Sequence, residues 1–258
     1  MAGLLILAVA PSIAVLLYVW KKDRIEKEPI GLLLKMFLLA GAATIAAGLW
    51  EMLMSDVVLS SIFYRDTVTF KTLENIMVVG LAEEFVKYFV LKKCSWKSPA
   101  FDYTFDGVVY AVVTSLGFAT IENIMYVTDL GVSTGIARAV TSIPGHAAFG
   151  VFMGYYYGLA KYAEARNDKD AMKSNLRKAL WIPVLIHGFY DLCISLESWV
   201  FLIVFAAFFV SMVVFAIKKI KALSGEDMSI MGDLNFLQSE MTNQKKRGLN
   251  DKDYYDGE

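Results

Sequence analysis

The sequence predicts an all-α, polytopic membrane helix bundle of about seven transmembrane helices. Of its 258 residues, 57% are hydrophobic and 20% charged, whereas average soluble domains carry roughly 45–50% apolar and about 25% charged residues. Mean hydropathy is +0.49. The charges also collect in short runs between apolar stretches of about 17–25 residues, the length that crosses a bilayer core. Formal net charge is -1, from 25 Lys+Arg against 26 Asp+Glu. There is thus no bulk electrostatic case for a nucleic-acid partner, and the expected surroundings are the lipid bilayer. The two cysteines, Cys94 and Cys193, fall in different predicted helices and offer neither a disulfide framework nor a CxxC motif.

The first apolar run, 2–20, lacks a basic leading segment and a small-residue cleavage site and is followed by Lys21, Lys22 and Arg24, so it reads as a retained anchor. Further runs predict helices over 30–54, 75–91, 105–126, 137–160, 179–196 and 199–217. Residues 57–70 carry Arg65 and Asp66 in their middle and are expected to form a loop rather than an eighth, re-entrant span.

Alternate loops differ in basic content. One set holds Lys21, Lys22, Arg24 and Lys27, then Lys92, Lys93 and Lys97, then the group from Lys161 to Lys178, then Lys218, Lys219 and Lys221; the other holds Arg65, Lys71 and, at a helix edge, Arg138. Because cytoplasmic loops carry the Lys/Arg excess, this predicts a multi-pass cell-membrane protein with its N-terminus outside and its C-terminus cytoplasmic. An odd number of spans agrees. Residues 1–221 are expected to form the transmembrane domain and 222–258 a polar cytoplasmic tail. The tail has too little apolar surface to offset ordering entropy and is expected to be disordered, with a short amphipathic piece around Met231 to Met241.

A charge near the bilayer centre costs about 2.5–3.5 kcal/mol, so such residues face a bundle interior and mark function. Here they cluster. The third predicted helix carries Glu83, Glu84 and Lys87, the fourth Glu122, the fifth His146, and the sixth His187 and Asp191; these histidines are the only 2 in the chain. Residues three or four apart share a helix face, which lets Lys87 pair with Glu83 or Glu84 and Asp191 orient His187. Counting about 1.5 Å per residue from the span ends converges the set on the outer half of the membrane.

Two imidazoles with one or two carboxylates form a natural zinc ligand set with one position open. His146, His187 and Glu84 are the candidate ligands. The same groups can also work without metal, a glutamate and a histidine activating water. HExxH, GxSxG and glycine-rich phosphate loops are absent.

The run Glu83-Glu84-Phe85-Val86-Lys87, the segment Phe118-Ala119-Thr120-Ile121-Glu122-Asn123, the His146 segment and His187-Gly188-Phe189-Tyr190-Asp191 resemble the ordered motifs of the PrsW family of intramembrane proteases, related to the CAAX- and bacteriocin-processing membrane proteases. The resemblance spans about residues 75–195. It implies a peptide hydrolase in which Glu83 and Glu84 activate water or bind metal and His187 and Asp191 form the final pair. Glu122 stands where the wider superfamily has histidine. The resemblance further implies a single-span membrane substrate, an anti-sigma factor, whose site-1 cleavage starts a stress response.

A competing reading is a proton- or ion-coupled carrier using the same carboxylates and histidines as a relay. Other residues have plainer expected roles. Asp102 and Asp106 read as helix-start residues, Arg138 as an interface anchor, and Gly150, Gly154 and Gly158 as a close-packing stripe.

Overall fold

The computed structural model describes residues 2–232. Helix α1 is Ala2–Lys22 and α2 is Ile30–Glu51, which continues through a π-helical stretch, Met52–Leu59, into the short α3, Ser60–Ile62. After a turn, α4 (Val68–Leu73) runs through a second π-helical stretch, Glu74–Gly80, into α5 (Leu81–Ser95). Then come α6 (Asp106–Leu130), the short α7 (Val132–Val140), α8 (Ser142–Ala165), α9 (Lys169–Ser195) and α10 (Trp199–Gly225). Among the described residues the only β pairing is one antiparallel bridge, Tyr103 to Ser229. Seven long helical rods therefore make up an all-α bundle, as the apolar runs predict.

Four rods, Gly3–Lys22, Ile30–Ile62, Asp106–Leu130 and Trp199–Gly225, are long and apolar enough to cross a membrane. The other three carry Glu83, Glu84 and Lys87, His146, and His187 with Asp191, the ionisable residues the bundle interior must accommodate. Outward faces are apolar, as a lipid-facing surface requires: α10 exposes Val200, Leu202, Ile203 and Val210.

Helix bounds differ from the apolar runs wherever polar residues are helical. Most of 57–70 is helical, with the turn confined to 63–67; Thr67 caps α4 by accepting from the Phe70 N–H. The sixth rod begins at Lys169 rather than 179, because Asp168 caps it through Ala171 N–H and its first turns are polar. Apolar-run reading is blind to such an extension. The expected helix over 137–160 is split: Gly131, at φ 83, ends α6, and Thr141 separates α7 from α8.

Helix α10 continues past the expected boundary at 221 to Gly225, and the chain then folds back on the start of α6. Thr104 N–H donates to the Met228 carbonyl at 3.0 Å and Ile230 N–H to the Asp102 carbonyl at 2.7 Å. Asp227 Oδ1 accepts from Phe105 N–H at 2.8 Å. The rest of the tail, including all but the first two residues of the amphipathic piece expected over Met231–Met241, lies outside the described residues.

Helix α6 is the axis of the bundle, buried almost continuously from Asp106 to Thr120. The glycine stripe of α8 lies directly on it. A Cβ on Gly154 would sit 2.4 Å from the Gly107 carbonyl oxygen, and one on Gly158 would sit 2.2 Å from that of Thr104. On the other side α2 approaches just as closely, since a Cβ on Gly117 would lie 2.3 Å from the Phe37 carbonyl oxygen. Asp106 Oδ2 accepts from the backbone N–H groups of Asp102 and Tyr103, at 3.1 and 2.7 Å, the helix-start role expected of it.

Candidate active site

Helix α5 begins where the second π-helical stretch ends, and glycines set its distance from α9. A Cβ on Gly188 would lie 2.6 Å from Ile76 Cα, and one on Gly80 would lie 3.0 Å from the Val184 carbonyl oxygen. Without side chains at these two positions the backbones meet, and the first turn of α5 faces His187. Pro144 falls in the first turn of α8, where its missing N–H has no intrahelical partner to lose. It therefore places His146 without the kink a mid-helix proline would bring.

Glu83, Glu84, Glu122, His146, His187 and Asp191, the six residues singled out from sequence, come together around Lys87. Its ammonium, with the side chain 0% exposed, donates to Glu83 Oε2 at 2.9 Å and Glu84 Oε1 at 2.8 Å. It also lies 3.2 Å from His146 Nδ1 and 4.3 Å from the centre of the Phe118 ring. His187 Nδ1 is 2.9 Å from Glu84 Oε1, and its Nε2 is 3.1 Å from Asp191 Oδ2 and 3.9 Å from Glu83 Oε2. The ring stacks on Phe149 with centroids 4.6 Å apart. His146 Nε2 is 3.0 Å from Glu122 Oε2.

The two glutamates share Lys87 but not their surroundings. Glu83 lines a cavity of about 670 Å³ together with Glu122, His146, His187 and Asp191. Glu84 is not part of that lining; it is fully buried, and its Oε2 has no hydrogen-bond partner. The cavity lies toward the bundle end that the basic-residue count assigned to the outside, near the close of α6.

Arg138, expected as an interface anchor, turns its guanidinium inward. Its guanidinium meets Glu122 Oε1 at 2.9 Å, and it lines the same cavity. Glu51 on α2 and Asn75 in the second π-helical stretch also line it. Glu51 carried a readable signal, a lone acid at the end of an apolar run. Asn75 carried none, because an uncharged amide does not stand out from the polar residues around it.

Metal-ligating atoms of Glu83, His146 and His187 all lie within 4.8 Å of one another. One carboxylate and two imidazoles suit zinc, which takes nitrogen and oxygen donors and keeps a position open in catalytic sites. The donor types fit such an ion, and because each of the four ring nitrogens already has a side-chain partner, binding would displace one partner at each histidine. The set contains Glu83 where Glu84 was the carboxylate expected from sequence.

The family model described as PrsW family intramembrane metalloprotease matches residues 28–217, a segment that contains every residue of this cluster. The chain belongs to the PrsW family. Among curated relatives, the "Protease PrsW" of Oceanobacillus iheyensis is 34% identical over 221 residues, covering 86% of this chain and 96% of that protein. That of Geobacillus kaustophilus is 37% identical over 200 residues, 77% and 83% of the two chains. That of Bacillus subtilis is 34% identical over 195 residues, 75% and 84%. No solved structure gives a significant match. As a PrsW-family member the chain is an intramembrane protease, and the carrier reading of the same carboxylates and histidines is not favoured.

Proposed function

We propose that this protease performs site-1 cleavage of a single-span membrane protein of the anti-sigma-factor type, in the outer half of the membrane, with a zinc ion held by Glu83, His146 and His187. The observation that carries the reading is the juxtaposition of those three donors at the wall of a cavity. When bound, zinc supplies Lewis acidity toward a scissile carbonyl.

The chain's own groups divide the remaining work. Lys87 holds Glu83 and Glu84 side by side and offsets one of their two charges. Glu84, out of the cavity, fixes the His187 ring from behind through Nδ1, and Asp191, 3.1 Å from Nε2 on the cavity side, would cede that nitrogen to a bound ion. Asp191 faces the cavity and is 26% exposed along its side chain, so it is the group placed to accept a proton from an entering water. Apolar lining residues such as Val79, Phe118 and Phe149 limit the water that enters with a peptide. The N-terminus lies outside and the C-terminus inside, which puts the cavity on the extracytoplasmic side, where such a substrate presents its outer segment.

The test is co-expression with epitope-tagged single-span anti-sigma factors, followed by mass spectrometry of the new chain end. A wild-type-dependent end at or just outside the outer face of the substrate's span supports the reading. An end on the cytoplasmic side, or none with any such substrate, contradicts it.

A further inference from the structure

A groove of about 500 Å³ opens on the outer surface of the bundle between α1, α8 and α10, with Val112 of α6 at its floor. Its walls are aliphatic except at one end, where Lys221 of α10 and Tyr18 of α1 line it. The other end reaches Pro144, Ala147 and Ala148, which flank His146 on α8. Along α10 the lining runs from Val213 to Lys221, about 12 Å of helix at 1.5 Å per residue.

The polar end is built from three groups. Lys221 is exposed, and its ammonium has no hydrogen-bond or ion-pair partner among the described residues. The Tyr18 hydroxyl is buried and also lacks a partner, whereas a buried phenol usually finds one. Lys22 brings a second ammonium 5.9 Å from the centre of the Tyr18 ring. The Lys22 carbonyl accepts from Ser224 Oγ, which ties α1 to α10 one turn past Lys221. Asp227 leaves this end free of negative charge by turning to the start of α6, where it accepts from Thr104 Oγ1 and Phe105 N–H.

Two cations and an unused O–H donor above an apolar slot match one kind of occupant, a lipid with a negatively charged phosphate headgroup. The leaflet on a lysine-rich side carries such lipids. A second groove, of about 380 Å³ between α1, α2 and α6, is lined by apolar residues alone and offers no such anchor. We infer that the groove between α1, α8 and α10 is a binding site for an anionic phospholipid. Lys22, Lys221 and Tyr18 hold its phosphate, and the slot holds one acyl chain. The site is independent of the chemistry proposed above.

The test is native mass spectrometry of the full-length protein, titrated in detergent with phosphatidylglycerol or with phosphatidylcholine of identical chains. Wild type is expected to bind phosphatidylglycerol at least about 10-fold more tightly, since each lysine near an anionic headgroup contributes roughly 5-fold. Lys221→Gln should lower phosphatidylglycerol affinity by about 5-fold and leave phosphatidylcholine unchanged. Ala14→Phe fills the slot from an exposed position and keeps both lysines, so it should weaken both lipids. Lys93→Gln, outside the groove, should change neither. Glycerophosphoglycerol, the headgroup without chains, should not compete. Equal affinity for the two lipids, equal losses in Lys221→Gln and Lys93→Gln, undiminished binding by Ala14→Phe, or competition by the chain-free headgroup would each overturn the assignment.

Discussion

At the residue scale the centre of the site is Lys87, a cation out of reach of water that bonds two carboxylates and one imidazole. Removing one partner of a buried ion pair leaves uncompensated charge and costs about 3–5 kcal/mol. Lys87→Met is therefore expected to lower stability by roughly that amount, read as a lower unfolding midpoint in detergent. Adding Glu83→Gln and Glu84→Gln to that background should recover part of the loss, because the charges left unpaired are then gone. Most of this cluster was legible in the sequence, since ionisable residues are costly in apolar spans and stand out there. Arg138 was not, because a basic residue at a helix end is ordinary and only the fold shows its side chain turned inward to Glu122.

Titration at the opposite end of the bundle gives a second residue-scale prediction. Glu28 precedes α2 outside the spans; it is 4% exposed and accepts a hydrogen bond from the Tyr110 hydroxyl. Burial pushes its carboxyl up from 4.5 to about 7. The folded protein thus binds this proton more tightly than the unfolded chain does. That stability is fully present below about pH 4.5 and is lost as pH rises through about 7, amounting to at most about 3 kcal/mol. Glu28→Gln should flatten thermal stability across that window and exceed wild type at pH 8, as a pH series of unfolding midpoints will show.

At the element scale, backbone contact rather than side-chain interlocking sets helix spacing. Gly107, Gly154 and Gly158 let α6 and α8 touch, and Gly80 and Gly188 do the same between the second π-helical stretch and α9. Gly154→Val forces a side chain onto the Gly107 backbone and should cost roughly 3 kcal/mol, the upper part of the overpacking range, again as a lowered midpoint. The four-residue glycine spacing made that stripe readable in advance. The π-helical stretches were not readable, because nothing in the composition of Met52–Leu59 or Glu74–Gly80 separates them from ordinary apolar helix. The polar start of α9 escaped for a different reason: capping at Asp168 sets it, and hydrophobicity does not.

For the whole molecule, the seven rods bring charges from α5, α6, α8 and α9 into one cavity at the end poor in lysine and arginine. The proposed orientation predicts that single cysteines placed at Tyr64 and Glu197 react with an impermeant thiol reagent in intact cells, in a background with Cys94 and Cys193 replaced. A cysteine placed at Asn167 should react only after lysis. The opposite pattern would invert the topology and move the cavity to the cytoplasmic half. Fold class and the number of long helical rods followed from composition and the spacing of apolar runs, because the bilayer dictates both. The substrate is dictated by neither, which is why it rests on family likeness and the position of the cavity.

The central claim, that Glu83, Glu84 and His187 together carry peptide hydrolysis within the membrane, is tested most directly by one immunoblot. A tagged single-span substrate that wild type cleaves is co-expressed with wild type, Glu83→Gln, Glu84→Gln and His187→Ala at matched membrane levels. Glu83→Gln and His187→Ala remove proposed metal ligands and Glu84→Gln the group that fixes His187, so the fragment should form with wild type and fall by at least about 10–100-fold with each variant. Undiminished cleavage by all three would contradict the account.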